Sequence, residues 1–122
     1  MTKSPLIMNP NDNSEPVAVI FGVPFDSTHS YKPGCRFGPD VIRDAFNNIE
    51  IFQPEFGIDL ETVNINDLGN TKHTVVAAEM LQMVENITSE LKKQNKQLII
   101  LGGEHLITFG SFTCFPKGTG YV

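Results

Sequence analysis

The sequence predicts an α/β fold with a doubly wound parallel sheet. Two observations carry most of the weight. Val17-Ala18-Val19-Ile20-Phe21-Gly22-Val23 and Leu98-Ile99-Ile100-Leu101 are continuous apolar runs, the pattern of strands buried on both faces of a parallel sheet. Helical patterns stand between the strand-like runs, giving strand, helix, strand, helix, strand. Right-handed crossovers then place the first strand between its two successors.

Taken in order, residues 1–16 are polar and carry Pro5, Pro10 and Pro16, so they read as a flexible or surface-wrapping arm. The run from Val17 is the central strand, and Pro24 stops it because proline cannot donate to the ladder. A polar loop over 25–38 follows at the carboxyl end of that strand, a common place for function. Gly38-Pro39-Asp40 opens a helix: proline suits the first helical position and the aspartate favours the positive end of the dipole. Val41, Ile42, Ala45 and Phe46 supply its expected buried face, and Asn47-Asn48 its end. A short edge strand is expected over 49–52, and an alternating strand near a sheet edge over 61–66, with a loop at 67–70. Val76, Met80, Val84, Ile87 and Leu91 recur at helical spacing and predict a long helix over 71–95. Lys92, Lys93 and Lys96 stand at its negative end. Met80 and Met83 read as core filler. A last helix is expected over 106–112, and residues 118–122 read as a loop into a strand that has barely begun.

The stretch Gly102-Gly103-Glu104-His105 follows the second apolar strand. Ligands in open α/β sheets sit beyond such strand ends, and paired glycines let the backbone approach a bound group closely. The local pattern leaves two readings open: a site presenting Glu104 and His105, or a plain turn whose histidine caps a helix or fills the core. Other candidates carry similar pairs of readings. Asp26 and Arg36 read foremost as an ion pair fixing the 25–38 loop, with Arg36 alternatively meeting a substrate carboxylate. His29 reads as a solvent-exposed loop residue or a group at a substrate mouth. His73 reads as a surface residue. Cys35, beside Arg36, has the setting for a lowered pKa, but no base is paired with it to make a nucleophile.

The chain has 122 residues and a net charge of −5. That acidic balance argues against a nucleic-acid partner, which calls for a basic face, and is compatible with a cationic substrate. No apolar run approaches a membrane span, and the first 16 residues lack the apolar core of a signal peptide. A cytoplasmic protein is expected. Its two cysteines, Cys35 and Cys114, have no C-x-x-C spacing and read as reduced thiols.

Gly22-Val23-Pro24-Phe25-Asp26, then Pro33-Gly34-Cys35-Arg36-Phe37-Gly38-Pro39-Asp40-Val41-Ile42-Arg43, then Gly102-Gly103-Glu104-His105 resemble, in order, the motifs of the ureohydrolase family, agmatinases in particular. The likeness runs from about Val17 onward. It implies a three-layer αβα, Rossmann-like fold of the arginase and deacetylase type, of which residues 17–122 are the amino-terminal part. It implies hydrolysis of a guanidinium C–N bond by two Mn2+ ions, most simply of agmatine to putrescine and urea, in a trimer or hexamer. By motif position His105 is a metal ligand. The family's remaining ligands, from Asp-x-His-x-Asp and Asp-x-Asp motifs, do not occur in this sequence, so the chain by itself is expected to be inactive. Glu104 stands where aspartate is commoner, Leu106 where serine is usual, and Asn70 where aspartate is common. A second reading is a non-catalytic Rossmann-like module, or a degenerate relative used for assembly.

Overall fold

A computed structural model describes residues 14–120. Its main sheet has three parallel strands, β1 (Ala18–Val23), β4 (Ile65–Asn70) and β5 (Gln97–Gly102), in the order β4-β1-β5. The central place expected for the first strand is the one observed. Every residue of β1 is buried. Its alternate residues serve the two faces. Val19, Phe21 and Val23 join Met80, Val84 and Leu91 of helix α2 (Ala77–Lys93) and Ile107 of helix α3 (Leu106–Phe112) in one apolar core. Gly22 instead faces helix α1 (Gly38–Asn47): a Cβ there would stand 2.7 Å from the Cβ of Pro39 and 2.0 Å from Asn70 Oδ1. Only glycine lets α1 sit this close.

The contact reverses the expected orientation of α1. Val41 and Ile42 are 62% and 47% exposed, Ala45 is exposed and Phe46 half-buried, whereas Pro39 and Arg43 are the buried pair. Arg43 can be interior because Asp67 accepts from its Nε at 2.7 Å and its Nη2 at 2.8 Å, and Asn70 Oδ1 from its Nη1 at 2.5 Å. A buried charge is tolerated when it is paired and fully hydrogen-bonded.

The same network corrects the strand expected over 61–66 and the loop over 67–70. Residues 60–62 form a 3-10 turn in which Asp59 accepts from the Glu61 N–H at 3.0 Å. The strand itself is β4, carrying Asp67, Gly69 and Asn70. Its pairing with β1 steps from Ile20↔Asp67 to Gly22↔Asn70, so one extra residue bulges out of β4. Gly69 accommodates it at φ 78°, and the bulge re-aims Asn70 toward α1.

In place of an edge strand over 49–52 there is a two-residue antiparallel ladder, β2 (Phe52–Gln53) with β3 (Ile58–Asp59), separate from the main sheet. Helix α2 is shorter than the 71–95 expected. Thr71 still donates to Gly22 O at 2.8 Å in the manner of the sheet. The Thr74 hydroxyl accepts from Val76 N–H at 3.1 Å and donates to Glu79 at 2.6 Å, which sets the helix start. Val76 is 47% exposed. Asn95, at φ 54°, ends the turn after the helix, with Lys92 and Lys93 in its last turn. Met80 is buried and Met83 half-buried, as core filler would be.

Strand β5 departs from the two-face burial its aliphatic run implied. Leu98 and Ile100 pack on the core while Ile99 is 39% exposed, because β5 pairs only with β1 and forms the sheet's edge among the described residues. Of the expected arm, residues 1–13 lie outside the described residues. Its end is tied down by Asn64, whose side-chain amide donates to Ser14 O and whose carbonyl accepts from Val17 N–H at 2.9 Å, and by a Glu15–Lys96 ion pair. The strand start expected at 118–122 falls partly on residues 121–122, also outside them.

Candidate functional site

Parallel strands bring the loop after β1 and the turn after β5 to one rim. The two are joined by their backbones. Gly103 N–H donates to Val23 O at 3.3 Å and Glu104 N–H to Phe25 O at 3.0 Å. A Cβ on Gly103 would lie 2.0 Å from Phe25 O, so the second glycine of the pair is needed for close approach.

Glu104 does not project into open space. Its Oε2 accepts from the Thr28 N–H at 2.9 Å and its Oε1 from the Thr28 hydroxyl. His105 occupies the N-cap position of α3, yet its side chain makes no capping bond. The residue is exposed, and no hydrogen bond or ion pair holds its imidazole among the described residues. Neither the capping nor the core reading of this histidine holds. Its ring borders a cavity of about 660 Å3 together with Thr28, His29, Tyr31, Lys32 and Glu104. Loop 25–38 and His105 thus share one rim, as the carboxyl ends of neighbouring parallel strands require.

Loop 25–38 is organised by Asp26. Its carboxylate accepts from Gly34 N–H at 2.8 Å and from Arg36 Nη1 at 3.2 and 3.3 Å. Gly34 takes the φ of 125° that presents its N–H. The Gly34 N–H, seconded by the Arg36 guanidinium and backbone, holds the Asp26 carboxyl below the usual carboxylate range against the opposing effect of burial. Arg36 also lies 4.7 Å from the centroid of the Phe37 ring. It is a structural cation, as the ion-pair reading had it, rather than one presented to a substrate carboxylate.

His29 is exposed, as expected, and its Nδ1 contacts Asp26 O. A carbonyl only accepts, so Nδ1 is the donor in this contact. His73 is exposed and borders a different cavity of about 230 Å3, with Arg36, Asp40 and Asn70. Cys35 reverses the expectation of a lowered pKa: burial first, then the Asp26 and Glu104 carboxylates, push its thiol up, outweighing Arg36.

Thr28 on this rim, and Arg43 away from it beneath α1, escaped the sequence reading. Thr28 was a loop threonine without a partner in view. Arg43 lay among aliphatic residues, and its only signal was its place four residues after Pro39, on the same helix face.

The chain matches the arginase family over residues 17–120. It belongs to that family. The N(1)-aminopropylagmatine ureohydrolase of Thermococcus kodakarensis is 40% identical over 109 residues, covering 85% of this chain and 37% of that protein. The agmatine ureohydrolase of Thermoplasma volcanium superposes with a TM-score of 0.85 at 35% identity, over 96% of this chain and 40% of that one. A more distant likeness, at 17% identity, is to the formiminoglutamase of Trypanosoma cruzi solved with a pair of Mn2+ ions; it has a TM-score of 0.70, over 87% of this chain and 39% of that one. That last likeness bears on the fold alone. The three-layer arginase-type fold is therefore present in part, and the chain spans well under half the length of these relatives.

For a metal, the donor that the motif position singles out on this rim is His105. Its imidazole, which has no hydrogen bond or ion pair among the described residues, borders the cavity. Among the described residues no three His, Cys, Asp or Glu side chains converge into a metal-binding group. Manganese takes about six donors in octahedral geometry, so His105 fits as one ligand and the described residues do not complete a site. No helix among them is long and apolar enough to cross a membrane.

Proposed function

We propose that this chain is the amino-terminal part, over residues 17–122, of a single α/β domain of a manganese-dependent ureohydrolase. The reaction is hydrolysis of the guanidinium C–N bond of agmatine to putrescine and urea, with His105 as a metal ligand. The observation that carries this is the free His105 imidazole on a rim where the motif, the glycine turn and the loop wall come together. Cytoplasmic placement and a trimeric or hexameric assembly belong to the same reading, supported by the family likeness.

The guanidinium is resonance-stabilised and a poor electrophile, so the bond yields only to a strong nucleophile. A pair of Mn2+ ions, when bound, would activate water as that nucleophile at neutral pH. The chain's own residues bind and orient. The Gly102-Gly103 turn brings His105 to the rim, Asp26 and Arg36 hold the loop in shape, and residues 28–32 form one wall of the cavity. A neutral imidazole leaves an ion more Lewis acidic than a carboxylate ligand would. His29 stands at the cavity mouth, where its ring is placed to meet an incoming substrate.

A second substrate, N(1)-aminopropylagmatine, is favoured by the 40% identity to the Thermococcus enzyme. Both substrates are cationic guanidino compounds with an apolar spacer. The test is urea release by the full-length protein with Mn2+, comparing kcat/KM for agmatine, N(1)-aminopropylagmatine, arginine and guanidinobutyrate. The expected result is a preference for agmatine of at least about tenfold, roughly one hydrogen bond's worth. A preference for aminopropylagmatine moves the assignment to the second substrate. No urea from any of the four returns the chain to the non-catalytic, assembly reading.

A further inference from the structure

We infer that Glu104 is a positioning residue whose carboxylate straps the loop after β1 to the His105 turn, holding the cavity wall and the imidazole at one spacing. The inference rests on the ureohydrolase reading and adds to it the device that keeps its two halves in register.

Both carboxylate oxygens are engaged, Oε2 by the Thr28 N–H at 2.9 Å and Oε1 by the Thr28 hydroxyl. The two residues are 76 positions apart in the chain. Residues 27–33 are all exposed, so packing does little to hold them. The bonds of Asp26 to Gly34 and Arg36 fold the loop onto itself and do not reach β5. The backbone bonds from Gly103 and Glu104 end at Val23 and Phe25, before the exposed segment. Among the described residues, the Glu104–Thr28 pair is the side-chain link from that segment to the His105 turn. Bonds to an ionised acceptor are about twice as strong as neutral ones.

The side-chain length matters. An aspartate at position 104 is one methylene shorter, about 1.5 Å, and falls short of Thr28 unless the loop moves in. Glu104 thus accounts for its own departure from the commoner aspartate: it sets how far the wall of residues 28–32 stands from His105. With both oxygens committed to Thr28, the group holds geometry and does not act as a free base.

The experiment uses the full-length protein and its Glu104→Ala, Glu104→Gln and Thr28→Val variants. Hydrogen–deuterium exchange is measured without substrate, and kcat and KM with agmatine. Glu104→Ala is expected to speed exchange over residues 26–33 by about tenfold or more, through the loss of both bonds to Thr28, with α2 unchanged. It raises KM more than it lowers kcat. Glu104→Gln keeps both within about threefold, because its carbonyl accepts from the Thr28 N–H and its amide donates to the Thr28 hydroxyl oxygen. Unchanged exchange in Glu104→Ala overturns the strap. A loss of kcat in Glu104→Gln as large as in Glu104→Ala also overturns it, since the charge would then act on the chemistry. Should Glu104→Ala fail to fold, Thr28→Val decides: faster exchange over 26–33 supports the strap, and unchanged exchange refutes it. The exchange arm stands even if no guanidino substrate turns over, so failure of the enzyme reading is distinguishable from failure of the strap.

Discussion

Asp26 is the residue on which the cavity loop depends. Its folded pKa lies below the unfolded value, with the Gly34 N–H as the main cause. The ionised form is therefore the one that folding favours. This contribution is fully present above the unfolded carboxylate range and is lost as pH falls through the depressed folded value. Loop 26–36 should thus loosen on the acid side, and Asp26→Asn should remove that acid transition. Hydrogen exchange over the loop from pH 6 down to pH 2 checks it; an Asp26→Asn profile that keeps the same acid step contradicts it. Arg43 poses a sharper problem, since its side chain and that of Asp67 are only 1% and 2% exposed. Arg43→Ala strands a buried carboxylate, and we expect a loss of about 3–5 kcal/mol in denaturant unfolding. A loss below about 1 kcal/mol would show that Asp67 reaches water. Thr88 offers the opposite sign. Its hydroxyl is buried with no partner among the described residues, so Thr88→Val should stabilise by about 1 kcal/mol.

The elements show where sequence patterns read structure well and where they fail. The strand from Val17, the helix begun by Pro39 and the helix of Met80, Val84 and Leu91 were legible because each is apolar at its own period and bounded by proline, glycine or a cap. The lower half of β4 was not legible. Asp67, Gly69 and Asn70 have the composition of a turn, and they form a strand because Arg43 takes up the aspartate and a bulge takes up the glycine. The buried face of α1 failed for the same reason: an arginine reads as solvent-facing until its partners, 24 and 27 residues on, are known. The turn after β5 was readable from its two glycines, and a prediction follows from it. Gly103→Ala places a Cβ on Phe25 O. It should destabilise by about 1–3 kcal/mol and free the loop, whereas Gly102→Ala, whose Cβ would have 3.5 Å to Ile107, should be milder. Equal unfolding midpoints for the two variants would contradict the close approach of loop and turn.

At the scale of the molecule, the doubly wound topology follows from the order of elements and the hand of their crossovers, and the observed β4-β1-β5 sheet has it. The candidate site was half legible. Motifs located His105, while the setting of its side chain, unbonded among the described residues, and the Glu104–Thr28 contact depend on two loops meeting, which no local pattern encodes. A two-metal mechanism needs carboxylates that residues 1–122 do not supply in ligand-like motifs. The 122-residue polypeptide should accordingly release no urea from agmatine above background, with or without Mn2+. The most direct measurement is the Mn2+ dependence of agmatine hydrolysis by the full-length protein, wild type against His105→Ala. The expected result is a half-saturating Mn2+ concentration raised by at least about 10- to 100-fold, the range already seen for losing a mere outer-shell partner, with part of the activity restored at high metal. Superimposable Mn2+ curves for the two proteins would show that His105 is not a ligand.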